Sequence, residues 1–279
     1  MIRRVFSYNS TPETELRGNS CVLLSFSNNG FNFLKYAEDP KRILSIDEFQ
    51  FDHPILDFNG MMGEFKAFTS DFLADSNQSQ HLTACINTEA YTLVPDELFD
   101  SDRMLEYLSF SGINPLNENH ISVNDISTGD FSAKLIISPT DWQMQFVQET
   151  FPQSPFFFDI AQFSTNVLKR NDSQKAAYIH VSESHYDLIL TENNTPILIN
   201  RFKFSTAKEF CYYIIGSLNS FAIDPYTTQL FISGDILPGS EIISLLSRYL
   251  QNILWLVPSE VVIPENLPVH RYFIQLSAR

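Results

Sequence analysis

Residues 177–204 read AYIHVSESHYDLILTENNTPILINRFKF, and this stretch decides the fold. Its alternating apolar positions predict strand, turn, strand, turn, strand. A helix follows, with Ala207, Phe210, Cys211, Ile214, Ile215, Leu218 and Phe221 on one face. Thr206 and Glu209 form a capping-box pattern at its start, because a hydroxyl and a carboxyl three residues apart can satisfy orphan backbone N–H groups. A buried strand is expected over Gln229–Ser233. After Gly239 a second helix is expected, carrying Ile242, Ile243, Leu246, Tyr249 and Leu250 and capped by Ser240.

The same layout occurs earlier in the chain. Residues 21–51 read CVLLSFSNNGFNFLKYAEDPKRILSIDEFQF. Asn28-Asn29-Gly30 predicts a tight hairpin, and Glu38-Asp39-Pro40 a second turn. At an offset of 155 residues Leu24 meets Ile179, Phe26 meets Val181, Ser27 meets Ser182, Phe31 meets Tyr186 and Phe33 meets Leu188. At 153 residues Phe49 and Phe51 meet Phe202 and Phe204. A helical face of Met61, Phe65, Phe68 and Phe72 and a strand over Leu82–Ile86 complete a second β-β-β-α-β run, so the sequence reads as an internal duplication. Between the runs, a helix is expected over Arg103–Phe110, strands near Ile121–Ile126 and Phe131–Ile137, and a helix from Asp141 to Thr150. A buried strand at Phe156–Phe158 and a helix over Ala161–Lys169 follow. The polar stretch Arg170–Gln174 is taken as the boundary, giving a first subdomain over 1–172 with an insertion and a second over 173–279.

Two such halves resemble the actin-like ATPase superfamily, an α/β fold of two ribonuclease-H-like subdomains. The specific likeness lies in Ile197–Phe221 (ILINRFKFSTAKEFCYYIIGSLNSF) and Leu230–Ile242 (LFISGDILPGSEI). These segments are similar to an uncharacterised bacterial domain-of-unknown-function family with an actin-like fold. Its members carry N-R-F-K followed by a hydroxyl, F-x-Y-Y, and a strand ending S-G-[DE]-I. The resemblance implies a mixed five-stranded sheet in each half, and a more distant likeness to pilus and secretion assembly proteins.

The resemblance also implies where nucleotide chemistry would sit. An active member needs roughly D-x-G-[ST] at the first hairpin, where the carboxylate holds the Mg²⁺ shell and the glycine admits phosphate. Here that position reads Ser25-Phe26-Ser27-Asn28-Asn29-Gly30. The second phosphate hairpin reads Val181-Ser182-Glu183-Ser184-His185, without glycine, and the adenosine-side segment keeps only Gly234, Pro238 and Gly239. Ser27, Asn28, Ser182, Glu183, Gly234, Asp235 and Gly239 are therefore the candidate lining of a degenerate cleft. Turn and cap chemistry alone also accounts for Gly30, Gly234 and Gly239. No catalytic or metal residue and no cofactor is expected, because neutral Ser and Asn do not replace a carboxylate on a hard cation.

Composition narrows the partners. The 279 residues carry 18 basic and 33 acidic side chains, a net charge of −15, which argues against nucleic acid as a partner. Arg201, Lys203 and Lys208 form a small basic spot, read as a solvated strand end and helix start. Glycine is scarce, at 9 residues, which disfavours Gly-rich phosphate loops. Cys21, Cys85 and Cys211 stand apart in apolar stretches, as buried thiols do in a reducing compartment. No apolar core follows Arg3 and Arg4, and no window of about 20 apolar residues spans a membrane, so a soluble cytoplasmic chain is expected. His180 and His185 do not show a zinc spacing and are read as structural or exposed.

Three functions follow from these residues. The first is a non-catalytic scaffold or adaptor for a protein partner. The second is a divergent ATPase or small-molecule kinase in which Glu183, Asp187 or Asp235 supplies the metal carboxylate. The third is self-association through some of the 25 phenylalanines. Tyr212-Tyr213 is read as straddling the edge of the helix's core stripe.

Overall fold

The computed structural model describes residues 2–10, 20–38, 41–66, 81–115, 117–170, 175–262, 264 and 267–278. The described residues fall into two compact units. One is Met1–Asp125, Lys134–Ala161 and Glu260–Asn266; the other is Ile126–Ala133, Gln162–Ser259 and Leu267–Arg279.

The second unit is built on the stretch that opened the reading. Its strands are β10 (Lys175–Val181), β11 (His185–Glu192), β12 (Thr195–Lys203), β13 (Gln229–Gly234) and β14 (Asn252–Trp255), in the spatial order β12-β11-β10-β13-β14. Asn193 and Asn194, at φ 50° and 63°, turn β11 into β12, a left-handed pair that asparagine tolerates. Ala177, Ile179, Val181, Tyr186, Leu188 and Leu190 face helices α5 (Ala207–Ser220) and α6 (Glu241–Leu246) across one core. Thr206 caps α5, accepting from the Glu209 amide at 3.2 Å. The Glu209 carboxylate reaches back one residue further than the box predicts, to the Ser205 amide at 2.8 Å. Helix α6 is shorter than its apolar pattern: it ends at Leu246, and Tyr249 is exposed.

The first unit repeats this topology. Its strands β1 (Ile2–Asn9), β2 (Ser20–Phe26), β3 (Gly30–Glu38), β4 (Lys41–Phe51), β5 (His81–Ile86) and β9 (Phe156–Phe158) run in the order β1-β4-β3-β2-β5-β9. From β4 onward this matches β12-β11-β10-β13-β14 strand for strand. Both series pair antiparallel, antiparallel, parallel, parallel. The hairpin backbones match as well: Ser27 N–H donates to Gly30 O and Phe51 N–H to Asn29 O, as Ser182 does to His185 and Phe204 to Ser184.

The first sheet has six strands rather than five, because Ile2–Asn9 adds to its edge. That stretch is exposed at most positions and carries little apolar signal. Phe156–Phe158 forms β9, but only Phe158 is buried, since β9 is an edge strand paired on one side. Helix α1 covers 58–66, and its Met61 and Phe65 are buried; the predicted Phe68 and Phe72 positions lie outside the described residues. The boundary stretch 171–174 and most of the second predicted turn also lie outside them.

Strands β6 (Tyr91–Pro95), β7 (Ser122–Thr128) and β8 (Phe131–Ile137) form a separate sheet in the order β6-β8-β7, with helix α2 at Met104–Phe110. Helices α3 (Asp141–Thr150), α4 (Asp159–Leu168) and α7 (Phe273–Leu276) complete the elements. The phenylalanines are mostly core. Phe65 meets Phe146 at 5.0 Å and Phe31 at 5.5 Å, and Phe31 stacks on Phe49 at 4.9 Å. Among the described residues Phe110, Phe156 and Phe221 are the exposed ones.

Candidate functional site

The β2–β3 hairpin is tied by side chains and backbone, and the β10–β11 hairpin by backbone. In the first unit the β2–β3 turn holds Ser27 and Asn28. Ser27 Oγ accepts from the Asn29 amide at 3.1 Å, Asn28 Nδ2 donates to Glu89, and Ile55 N–H donates to Asn28 O at 2.7 Å. A Cβ on Gly30 would lie 2.1 Å from Phe49 O, so this glycine exists for the hairpin's approach to β4. In the second unit the β10–β11 turn holds Ser182 and Glu183. Gly234 ends β13 at φ 90°, where a Cβ would meet Val181 O at 2.1 Å. Asp235 N–H donates to the same Val181 carbonyl at 2.7 Å, which brings Gly234 and Asp235 beside the Ser182 turn. The Asp235 carboxylate takes Arg271 at 2.8 Å. Gly239 is exposed, and Ser240 beside it caps α6 through the Ile243 amide at 3.4 Å.

A polar rung crosses each sheet one residue inside the hairpin. In the second unit Arg201, Asp187, His180 and Ser233 stand in direct register on β12, β11, β10 and β13. At the offsets read from the sequence, the first unit has Glu48, Asn32 and Ser25 in register on β4, β3 and β2, and Cys85 on β5 stands in register with Ser25. Ser25 opens the stretch where the resemblance implies an aspartate, and His180, one residue before the second hairpin, is its counterpart at the 155-residue offset. Ser25 is buried and donates to Asn87 Oδ1 at 3.0 Å. Gln143 donates to the Asn87 carbonyl at 2.8 Å, and Thr88 donates from both N–H and hydroxyl to Asp159, tying the end of β5 to α3 and α4.

The rung Ser233, His180, Asp187 has the residue types of a nucleophilic triad, but its hydrogen bonds run the wrong way. The buried Ser233 hydroxyl donates to Ile179 O at 3.2 Å, so its oxygen accepts from His180 Nδ1–H at 3.0 Å. No base faces the hydroxyl proton. Asp187 instead takes Arg201 on both oxygens, at 2.8 and 2.7 Å. Arg201 is therefore a buried ion-pair partner rather than the solvated strand end its sequence context predicts; Lys203 and Lys208 are exposed. Burial pushes His180 down to about 4 and His185 down to about 3, so both rings are neutral.

The three cysteines are free and buried. Burial raises Cys21 and Cys211 to about 11 and lifts Cys85 well above its ordinary value, so each is a protonated thiol at neutral pH. Among the described residues no group of three or more His, Cys, Asp or Glu could hold a metal ion, and no helix is long and apolar enough to cross a membrane.

Relatives place this geometry. The family described as "Protein of unknown function (DUF3822)" matches residues 9–253. The chain belongs to that family. No curated protein matches the sequence. A Bacteroides thetaiotaomicron VPI-5482 protein with an actin-like ATPase fold and unknown function is similar over 97% of this chain and 100% of its own. Its TM-score is 0.70 at 18% identity. The PilM–PilN type IV pilus biogenesis complex contains a chain similar over 92% of this one and 96% of its own, with TM-score 0.62 and 11% identity. The ethanolamine utilization protein EutJ from Carboxydothermus hydrogenoformans covers 93% of this chain and 89% of its own, with TM-score 0.50 and 6% identity. This DUF3822 chain has the actin-like ATPase fold, with a distant similarity to pilus assembly proteins.

Proposed function

We propose that this DUF3822 protein is a non-catalytic cytoplasmic scaffold or adaptor that acts by binding protein partners. One observation carries the reading. In the stretch where the resemblance implies the first hairpin's aspartate this chain has the buried hydroxyl of Ser25, hydrogen-bonded to Asn87, and the second-unit counterpart of Ser25 is the half-buried, neutral His180, hydrogen-bonded to Ser233. Of the three carboxylates that could make up the deficit, Asp187 is paired with Arg201 and Asp235 with Arg271, while Glu183 is exposed in its turn. Gly30 and Gly234 are spent on strand contacts rather than on phosphate approach. The buried thiols suit a reducing compartment. The PilM–PilN complex supplies a precedent for a protein partner on this fold, at the level of fold alone.

Thermal melting with ATP and Mg²⁺ tests the proposal. No shift is expected up to millimolar nucleotide, because a ligand that binds the folded chain raises its melting point by mass action. A reproducible rise of several degrees at sub-millimolar ATP, or phosphate release above blank, overturns it in favour of an ATPase.

A further inference from the structure

The first unit closes one side of its sheet with a strand that has no counterpart in the second among the described residues. β1 lies antiparallel along β4, from Ile2 opposite Phe51 to Asn9 opposite Ser45. On β4 the side chains of Ile46, Phe49 and Phe51 are buried. β12 is the counterpart of β4 and the last strand of its sheet; among the described residues no strand pairs with its outer side. Ile199, Phe202 and Phe204, the counterparts of Ile46, Phe49 and Phe51, are only half-buried. A free edge presents unpaired N–H and C=O groups that template a further strand. Pro196 removes one donor at the start of β12, which leaves Ile197–Lys203 as the usable edge. Beside it Tyr213 stacks on Phe202 at 5.4 Å, and Tyr212, 73% exposed, packs against Tyr213. The Tyr pair thus lines the edge with aromatic surface.

Charge decides what fits there. On the first unit Arg3 donates to Gln50 Oε1 at 3.2 Å, and Arg4 Nε lies 3.4 Å from Asp47. The counterpart of Gln50 is Lys203 and that of Asp47 is Asn200. A basic strand such as β1 would meet a cation and lose a carboxylate on β12. An acidic strand gains Lys203, with Lys208 exposed at the start of α5, on a chain whose net charge of −15 repels acidic segments elsewhere.

We propose that the outer edge of β12, Ile197–Lys203, is a strand-addition site. It takes an antiparallel extended segment of a partner protein in which apolar residues alternate with acidic ones, one acid lying opposite Lys203. This rests on the protein-partner reading above and names its surface.

The test is amide chemical-shift titration of the full chain with two octapeptides. One is the β1 sequence Ile2–Asn9, already shaped to lie along β4; the other is the same peptide with Arg3→Glu and Arg4→Glu. The acidic peptide is expected to move amides confined to β12 and Tyr212–Tyr213, and to bind at least about five-fold more tightly than the basic one. Lys203→Glu is expected to invert that ranking without altering the unliganded spectrum beyond its neighbours. Unmoved β12 amides at millimolar acidic peptide overturn the site. Tighter binding of the unaltered β1 peptide overturns the acidic partner and makes a second copy's β1 the occupant. A rise in melting with ATP removes the partner reading and leaves a positive peptide result standing. A silent nucleotide titration with unmoved β12 amides removes the edge alone.

Discussion

At the scale of single residues, the scarce glycines separate backbone geometry from ligand chemistry. Gly234 combines φ 90° with a Cβ position 2.1 Å from Val181 O, so any side chain there strains the backbone and collides with β10. Gly216 lies inside α5 with open space around its Cβ position. In denaturant unfolding, Gly234→Ala is expected to cost the second unit about 2 kcal/mol or more, whereas Gly216→Ala stabilises it by about 0.5–1 kcal/mol. A Gly234→Ala protein as stable as the parent would show that the collision is relieved and that the glycine serves something other than the strand contact. Gly30, 2.1 Å from Phe49 O by the same measure, belongs with Gly234. Of the glycines at an active hairpin's positions, what remains here is the set that strand packing demands.

At the scale of elements, the polar rung of the second sheet is its most loaded feature. Asp187 and Arg201 sit opposite each other on β11 and β12 with side chains 3% and 9% exposed. Removing one partner strands a buried charge, so Arg201→Met is expected to cost about 3–5 kcal/mol. Replacing both with apolar residues of similar volume is expected to recover most of that loss, because desolvation of the pair offsets its attraction. A double-mutant cycle by chemical unfolding reads this directly, and additive losses would contradict it. None of this was legible in the sequence, since Asp187 looks like the outward polar residue of an alternating strand and its partner lies 14 residues away. The duplicated hairpins were legible because apolar alternation survives at fixed offsets and each strand buries one face. β1 was not, because a strand added to a sheet edge needs little apolar surface and shows a mostly exposed pattern. For the candidate site, Ser27, Asn28, Ser182 and Glu183 were placed at their turns by the hairpin pattern. Asn87, Thr88, Gln143 and Asp159 were missed because pairs such as Thr88 with Asp159 close over 71 residues of chain.

At the scale of the whole molecule, acid acts on the two units unequally. His180, His185 and His270 all lie in the second unit, and burial lowers all three. Around His180 stand Asp187, Arg201 and Asp235; around His185 stand Arg201, Asp187 and Lys203, and the charges do not reverse the effect of burial. A histidine whose folded pKa lies below its unfolded value of about 6.5 binds its proton preferentially when unfolded. Its stability contribution is therefore intact above about pH 6.5 and is lost as pH falls towards the folded value. For His180 and His185, at about 4 and about 3, acidifying to about pH 5 costs each roughly 2 kcal/mol. Relief of the acidic chain's self-repulsion works in the opposite direction but acts on both units, so the difference between units is the quantity to measure. The chain has one tryptophan in each unit, Trp142 in α3 and Trp255 in β14. Trp142→Phe and Trp255→Phe variants isolate the two reports. Emission maximum should be followed rather than intensity, because the His270 ring lies 4.3 Å from Trp255 and quenches it once protonated. Between about pH 8 and pH 5 the Trp255 transition is expected to move to lower denaturant by the equivalent of about 4 kcal/mol, ahead of the Trp142 transition. Coincident transitions at both pH values would mean that these histidines do not set the acid sensitivity of the second unit.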